Sequence, residues 1–543
     1  MIYEILLMLY VLGTLFGLWF VFKKAGVAPW KAVVPFYNFV VWVKVCGKTW
    51  PWYIYLLIPG INIFIFLLLV DETAKVFHRN NFWEQTGAVL LPCVYLPLVG
   101  LKKDWVYYAP KKEKKDKNAK KGEKKKTSEL REWAEAIVFA LIAAVIIRGF
   151  VFELYSIPSS SMERSLRVGD HLLVSKLSYG PRVIMTPLAL PLMHNTILGT
   201  TSQSYLDWPQ LPYYRFPGFS HVKRYDAVVF NFPEGDTIVS NFPGCQRTYY
   251  EAVRQCGREA VLAGNGYFVE EYADGTVATI PAGKVMTRPL DKRENYIKRC
   301  MGLPGDTLQI KNSLVYINGK KIENPKDVQL YQKVTFAGNY IPDEVLDDCG
   351  MTQEDMDRRH WIPLGKIDIQ LGESVDSNGN LYYAISMSSE VEKNLMASGY
   401  VKKIEPYYFP VDSVGNLFPH VKELGWSVDN YGPVYIPKKG ATISLTLDNL
   451  PFYLRVITAY EHNTLEVKGG KIYINGKVAD RYTFQQDYYW MMGDNRHNSQ
   501  DSRYWGFVPE DHIVGKAKWV LFSWDSDHRK LRWDRILINA SAY

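Results

Sequence analysis

Four apolar stretches stand out in the first third of the chain. Residues 5–22, 49–70 and 85–101 carry no charged side chain, and residues 133–152 carry one acidic and one basic residue near their ends. About 20 apolar residues cross a bilayer as a helix, so this pattern predicts membrane segments. Prolines interrupt the second and third stretches, which fits either kinked spanning helices or a re-entrant or interfacial hairpin.

Lysines predict the orientation of these segments. The loop at 23–50 and the linker at 102–132 are strongly basic, whereas the loop at 71–84 is not. Basic loops stay on the cytoplasmic side, which places residues 71–84 and everything after 152 outside. We therefore expect a membrane region at 1–101, a cytoplasmic linker and a transmembrane anchor at 133–152.

The pattern changes after residue 152, where short β-prone runs alternate with Gly, Asn and Pro turns. This alternation predicts a mostly antiparallel β domain over 153–543. Residues 307–320 recur as 464–477 with eight of fourteen positions identical. The two copies read as one hairpin repeated on either side of an inserted module at 328–463. The predicted fold class is therefore mixed, with N-terminal transmembrane helices, a β domain and an insert.

Charge and cysteine content exclude several classes of protein. The 543-residue chain has a formal net charge of +8, but residues 111–126 alone hold ten lysines and three acidic residues. This clustering indicates a disordered tether near anionic lipid and not a nucleic-acid-binding face. Six cysteines exclude a disulfide scaffold. Cys245 and Cys256 lie eleven apart in a region predicted to face an oxidising compartment, so a disulfide between them is one expectation.

Four motifs carry candidate chemistry. They run from Ile157 to Leu166, from Arg224 to Phe230, from Tyr296 to Asp306 and from Gly493 to Arg503. The chain shows no Ser-His-Asp pattern, no Gly-x-Ser-x-Gly elbow and no clustered metal ligands, so we expect no metal and no cofactor. Lysine remains as a base, because burial disfavours its charged form. Taken singly, Ser161 is better interpreted as a capping hydroxyl and Lys298 as a surface lysine.

Together and in this order, the motifs closely resemble bacterial type I signal peptidases. The family pattern Pro-Ser-x-Ser-Met corresponds to residues 158–162, and Lys-Arg-x-x-Gly-x-Pro-Gly-Asp to 298–306. Gly-Asp-Asn-Arg-x-x-Ser-x-Asp-Ser-Arg corresponds to 493–503. The resemblance implies a β-rich peptidase fold with core segments of about 153–236, 291–327 and 464–535. Two inserts, at about 237–290 and 328–463, then interrupt this core.

The resemblance implies a Ser-Lys endopeptidase that removes N-terminal signal peptides from exported pre-proteins after Ala-x-Ala. Ser161 would be the nucleophile and Lys298 the general base, while Ser159 and the backbone N–H of Ser161 would form the oxyanion hole. Ser499 would orient the Lys298 amine. Structural support would come from Asp494, Arg496, Asp501 and Arg503. The pockets for small substrate residues would be lined by Ile157, Pro158, Met162, Leu166, Tyr296 and Ile297.

The implied location is the plasma (inner) membrane, as a multi-pass protein with its catalytic domain on the periplasmic or extracellular side. The implied partners are signal peptides and membrane lipid, with secretion-machinery components as candidate neighbours and no nucleic acid. The sequence departs from the family pattern at Ser160, at Arg164-Ser165, at Tyr225 and at His497. None of these positions is a reacting group.

Other classes stay open on the sequence. A membrane-anchored scaffold could use the insert to bind a partner, although it would have no need of Ser161, Lys298 and Ser499 together. A self-cleaving Ser-Lys regulator would be cytoplasmic and would carry a DNA-binding helix-turn-helix. A type II lipoprotein peptidase would need two intramembrane aspartates, and the apolar stretches contain none.

Overall fold

The computed structural model describes residues 2–57, 61–79, 81–110, 144–190, 193–197, 200, 202–242, 245–264, 267–271, 277–281, 284–368, 372–413, 415–525 and 529–540. The chain forms two compact units, Met1–Ile146 and Ile147–Tyr543. The greater part of the predicted linker and of the predicted anchor, at 111–143, lies outside the described residues.

The N-terminal unit is helical. Its helices are α1 (Ile2–Lys24), α2 (Tyr37–Val45), α3 (Pro51–Leu57), α4 (Ile61–Val76), α5 (Phe82–Leu90) and α6 (Pro92–Leu101). They enclose an apolar core that includes Phe22, Leu69 and Leu96. Trp42 lies in the same core, and its indole N–H donates to the Thr73 hydroxyl at 2.7 Å.

The helices depart from the apolar stretches read off the sequence. The predicted segment 85–101 is divided between α5 and α6, where Pro92 begins a new helix because proline has no N–H to continue the preceding one. α4 continues past the predicted segment to Val76 and includes Asp71 and Glu72. Within the described part of the chain, we find no helix with both the length and the apolar character required to cross a bilayer.

The second unit is rich in strands. Those up to residue 302 are β1 (Phe152–Ser156), β2 (Asp170–Ser175), β3 (Ala227–Asn231), β4 (Thr237–Phe242), β5 (Cys245–Thr248), β6 (Tyr267–Glu271), β7 (Val277–Pro281), β8 (Lys284–Thr287) and β9 (Asn295–Gly302). The next are β10 (Thr307–Lys311), β11 (Leu314–Ile317), β12 (Lys320–Lys321), β13 (Gln329–Phe336), β14 (Ile362–Pro363), β15 (Lys366–Asp368), β16 (Glu373–Val375), β17 (Tyr382–Ser388), β18 (Val401–Pro406), β19 (Tyr431–Tyr435) and β20 (Thr442–Ser444). The last are β21 (Leu465–Lys468), β22 (Lys471–Ile474), β23 (Lys477–Val478), β24 (Arg481–Thr483), β25 (Tyr488–Met492), β26 (Val508–Pro509), β27 (Ile513–Asp525), β28 (Lys530–Leu531) and β29 (Ile538–Asn539). Short helices join them: α7 (Tyr249–Cys256), α8 (Arg258–Leu262), α9 (Asp343–Asp348), α10 (Gln353–Met356), α11 (Ser389–Ala397), α12 (Leu450–Arg455) and α13 (Ser502–Trp505).

A large antiparallel sheet forms the centre of this unit, with the order β1-β2-β27-β3-β9-β25-β26. β2 alternates between buried and half-buried positions, which is typical of a strand with one face on the core. All five residues of β3 are buried. β9 lies between β3 and β25, with Val228 opposite Lys298 and Met491 opposite Cys300. The predicted antiparallel β domain is therefore present.

The sequence repeat is a structural repeat. β10, β11 and β12 form one antiparallel meander, and β21, β22 and β23 form the other. The turns Asn318-Gly319 and Asn475-Gly476 occupy equivalent places, and all four residues have positive φ. Asn and Gly tolerate that conformation at low cost, which makes the pair a strong hairpin signal.

The segment between the repeats divides into two parts. Residues 329–406 build a sheet of order β14-β17-β13-β18, with its own core that includes Phe336, Trp361 and Leu395. The later part packs elsewhere. Its β19 pairs with β10 of the first repeat, and Tyr431 is buried in one core with Trp490 of the central sheet. The 328–463 segment thus supplies one small subdomain and part of the core that contains Trp490 of the central sheet.

A buried ion pair ties the C-terminal segment to β2. Arg535 donates to both carboxylate oxygens of Asp170, at 3.0 and 2.6 Å, and the side chains of these two residues are 4% and 0% exposed. The backbone N–H of Arg167 also donates to Asp170, at 2.9 Å. Removing one side chain leaves the other charge buried without this counter-ion, which lowers the free energy of unfolding much more than the loss of an exposed ion pair.

We expect Asp170→Ala to lower the free energy of unfolding by ~3–5 kcal/mol, because Arg535 then keeps its buried charge without the Asp170 carboxylate. Urea denaturation of the solubilised chain, followed by tryptophan fluorescence, measures this. Glu466→Ala is the matched control, since it removes an exposed pair with Lys468. Equal effects of the two substitutions would contradict the interpretation.

Candidate active site

Ser161 and Lys298 meet although 137 positions separate them. Ser161 lies in a single 3-10 turn, Ser160–Met162, that follows β1. Lys298 lies on β9, in the middle of the central sheet. The Lys298 Nζ donates to the Ser161 Oγ at 2.6 Å. The sheet fixes the lysine and the turn presents the hydroxyl, so the contact joins a rigid element to a tight loop.

Burial changes the chemistry of the lysine. Lys298 is 4% exposed, and desolvation lowers its pKa to about 8, against the opposing influence of Asp501 and Asp494. Its Nζ also lies 5.8 Å from the centre of the Tyr296 ring. About a tenth of the Lys298 amine is therefore uncharged at pH 7, and this fraction, which rises with pH, is able to accept a proton.

The turn that carries Ser161 is held by two asparagines. The Asn495 backbone N–H donates to the Ser161 carbonyl at 3.2 Å, and its side-chain amide donates to the Ser160 carbonyl at 3.3 Å. The Asn498 amide donates to the Ser160 hydroxyl at 3.0 Å. The Ser159 hydroxyl lies 3.5 Å from the Ser161 Oγ. The loop at 493–503 therefore sets the position of the turn.

Ser499 lies against this turn, but its hydroxyl donates to the Gln500 carbonyl, at 3.4 Å, and not to Lys298. A Cβ atom at Gly493 would lie 2.2 Å from the Ser499 Oγ and 2.5 Å from the Ser161 carbonyl oxygen. Glycine is thus required there for a reason of space, because any side chain would push the two loops apart.

The loop is stabilised by buried charges. Asp501 and Arg503 form an ion pair at 2.7 Å, and Asp501 accepts the Gly493 backbone N–H at 3.1 Å. Arg503 also donates to the Arg496 carbonyl. Burial lowers the pKa of Arg496 to about 10, and its Nε and Nη1 atoms make no hydrogen bond within the described structure.

Asp494 pairs with Arg299, a residue that the sequence reasoning did not select. Arg299 is fully buried, and its Nε lies 2.8 and 2.9 Å from the two Asp494 carboxylate oxygens. Arg299 also donates to the carbonyl of Tyr225, at 2.8 Å. The Lys-Arg motif that places Arg299 next to Lys298 was the available signal. A second charged residue on a buried strand indicates a buried ion pair, because charged side chains are rarely buried unless they are paired.

The six predicted pocket residues fall into two places. Ile157, Met162 and Leu166 are buried in one apolar cluster with the partly buried Ile297, and Pro158 is exposed. Tyr296 instead packs with Phe232 and stacks on Trp505 at 5.5 Å between ring centroids.

That aromatic group borders a cavity. The cavity has a volume of about 590 Å³, and Glu294, Tyr296, Gln500 and Trp505 contribute to its lining. Its walls reach the second residue before Lys298 and the residue after Ser499. Neither Ser161 nor Lys298 is among the residues that line it.

A buried carboxylate follows the Ser161 turn. Glu163 is 2% exposed; burial and the nearby Asp355 raise its pKa to about 7. Asp355 accepts from the Gln329 side-chain amide at 2.7 Å. No motif predicts the proximity of Glu163 and Asp355, because Asp355 lies in the segment outside the resemblance. No group of three or more potential metal ligands occurs among the described residues.

Comparison with known proteins identifies one family over more than half of the chain. The model of the family described as signal peptidase, peptidase S26, matches residues 130–367 and 479–524. Residues 30–110 match a family of unknown function, DUF5684.

The individual relatives have low sequence identity to this chain, but two of the alignments cover about 70% of both chains. The chain is 24% identical to signal peptidase I of Buchnera aphidicola subsp. Schizaphis graminum over 390 residues, which cover 70% of this chain and 71% of that protein. It is 23% identical to signal peptidase I of Haemophilus influenzae over 405 residues, 74% and 72% of the two chains. A 43-residue stretch is 54% identical to signal peptidase I of Aquifex aeolicus and covers 8% and 17% of the two chains.

Proposed function

Because the chain belongs to the S26 signal peptidase family, we propose that it is a membrane-bound serine endopeptidase that cleaves signal peptides from exported pre-proteins after small residues. The observation that carries this proposal is the 2.6 Å contact between the Lys298 amine and the Ser161 hydroxyl. A base within hydrogen-bond reach is what a serine needs to become a nucleophile.

In the proposed reaction, neutral Lys298 accepts the Ser161 proton as the Oγ attacks the carbonyl carbon of the scissile bond. The Ser161 backbone N–H and the Ser159 hydroxyl stabilise the oxyanion that forms. The C–N bond then breaks, and the proton passes from Lys298 to the departing amine. Water attacks the remaining ester with Lys298 again as base, which releases the acid and restores the Ser161 hydroxyl.

Specificity for small residues would come from the apolar cluster below the Ser161 turn. Ile157, Met162 and Leu166 are closely packed, so a large substrate side chain would have to displace them. The substrate would bind extended beside this turn as an added strand. Ser499 would orient the Lys298 amine once its hydroxyl leaves the Gln500 carbonyl, to which it donates at 3.4 Å in this structure.

The S26 signal peptidases are membrane-associated. We further propose that the second unit of this chain faces the outer side of the plasma membrane and that the lysine-rich residues 111–126 stay in the cytoplasm. Signal peptides and membrane lipid are the proposed partners. Secretion-machinery proteins would be its neighbours, because its substrates emerge there.

Substitution of the two central residues tests the reaction. Ser161→Ala removes the nucleophile, and Lys298→Arg replaces the base with a guanidinium that does not deprotonate. We expect each substitution to reduce cleavage of a solubilised pre-protein with an Ala-x-Ala site by at least about 10³-fold. Ser499→Ala should lower kcat more than it raises KM.

Activity of the unaltered chain should rise with pH through about 8, since the neutral fraction of Lys298 rises there.

Lys292→Arg is the matched control, because Lys292 is also a buried lysine whose pKa burial lowers. It should keep nearly full activity. Full cleavage by Lys298→Arg would refute the Ser-Lys mechanism, and full cleavage by Ser161→Ala would refute the proposed active site.

Cysteine labelling tests the proposed orientation. Lys393 is exposed on α11, so Lys393→Cys should react with an impermeant thiol reagent in intact cells, whereas Gly122→Cys should react only after lysis. The labelling of the unsubstituted chain is subtracted in each case. The reverse pattern would contradict the orientation.

A further inference from the structure

We propose that His497 is a positioning residue, which docks the loop that holds the Ser161 turn onto the segment inserted between the two repeats. The inference rests on the proposed peptidase function and deepens it. It assigns to the inserted segment a role in the geometry of the reaction. His497 makes no contact with the reacting groups, and it would act through the loop.

The His497 side chain is 1% exposed, and its described contacts come from the inserted segment. Its Nε2 lies 2.7 Å from an Asp429 carboxylate oxygen. The Tyr331 backbone N–H donates to its Nδ1 at 3.2 Å. The imidazole stacks on Phe409, with 4.9 Å between ring centroids and 15° between the planes. Three separate parts of the insert thus contact the buried His497 side chain.

These contacts select one form of the imidazole. A backbone N–H can only donate, so the Nδ1 must offer its lone pair to Tyr331. The Nε2 then carries the hydrogen and donates it to Asp429. Asp429 is itself held, because Ser313 donates to it at 2.6 Å and the Phe409 backbone N–H at 2.7 Å. The imidazole thus supplies an acceptor to the Tyr331 N–H and a donor to the Asp429 carboxylate.

The backbone just before His497 is joined to β13. The Gln329 N–H donates to the Asp494 carbonyl at 2.9 Å, and the Arg496 N–H donates to the Gln329 carbonyl at 3.1 Å. The Ser386 hydroxyl donates to the Asn495 side-chain oxygen at 3.0 Å. This short parallel pairing makes β13 a direct neighbour of the loop.

The same loop residues hold the Ser161 turn from the other side. Asn495 donates to the Ser161 and Ser160 carbonyls, and Asn498 donates to the Ser160 hydroxyl. A shift of the loop therefore moves Ser161 relative to Lys298, which the central sheet holds fixed. A misplacement of about 1 Å in a catalytic pair can cost about 10²-fold in rate.

The test compares kcat and KM of variants of the full-length, detergent-solubilised chain on one pre-protein. His497→Ala should lower kcat about 10- to 100-fold and change KM less than about 2-fold, because a positioning defect acts on the reaction and not on substrate binding. His497→Gln keeps an N–H donor near the Nε2 position and should recover to within about 3-fold of the original kcat.

His512→Ala is the matched control. His512 is also buried and paired with a carboxylate, Asp511, at 2.6 Å, but its other described side-chain contacts are with Arg293 and the Tyr460 ring and not with the loop. An equal fall of kcat in His512→Ala and His497→Ala would overturn the proposal, as would an unchanged kcat in His497→Ala. If His497→Ala does not fold, His497→Asn takes its place. The Asn side chain keeps an acceptor for the Tyr331 N–H but is too short to reach Asp429. A kcat of His497→Asn equal to that of His497→Gln would then overturn the proposal.

Hydrogen–deuterium exchange separates this proposal from the proposed function. His497→Ala should speed exchange in peptides covering 157–165 and 493–499, whereas His512→Ala should leave them unchanged. If the unaltered chain does not cleave the pre-protein, the proposed function fails, and the exchange result still decides whether His497 holds the loop. Unchanged exchange in His497→Ala would overturn the positioning role.

Discussion

A lysine amine held in a dry place beside a hydroxyl is the constraint on which the rest of this unit depends. Lys298 needs burial to lose its charge, and it needs a polar partner, Ser161, to make burial tolerable. The central sheet meets the first need, because β9 is flanked on both sides. The loop at 493–503 meets the second, because it fixes the turn that presents the hydroxyl at 2.6 Å.

The charges around this contact are paired so that the amine can stay neutral. Asp494 and Asp501 would both favour a charged lysine, but each is engaged by an arginine, Arg299 and Arg503 respectively. Buried ion pairs of this kind contribute little net stability and a fixed geometry. Here they hold two carboxylates near a lysine whose pKa still falls to about 8.

The motifs predicted much of the candidate site, and local pattern predicted much of the strand content. Ser161 and Lys298 were selected because four motifs agree in order, and the structure brings them together. The pairing of Arg299 with Asp494 is a tertiary contact between β9 and the loop at 493–503, which no local pattern specifies. The separation of Tyr296 from Ile297 could have been predicted, because successive side chains of a strand point to opposite faces of the sheet. The helix break at Pro92 could have been predicted, since proline ends a helix for a local reason.

Departures from the resembled family pattern carried more information than the sequence alone revealed. Arg164 and His497 both contact the inserted segment, Arg164 through the Gly350 carbonyl at 2.6 Å. The insert was interpreted as a separate module, because the repeats on its flanks suggest a boundary. Its contacts with the Ser161 turn and the loop at 493–503 are tertiary, so only the folded chain displays them.

The ionisation of Lys298 tests the account most directly. Its pKa can be followed through the pH dependence of acetylation by acetic anhydride, with mass spectrometry of the Lys298 peptide from the Ser161→Ala chain. The account predicts a midpoint near the value of about 8 that burial gives this lysine. A midpoint near ~10.4, the value of an ordinary lysine, would contradict it.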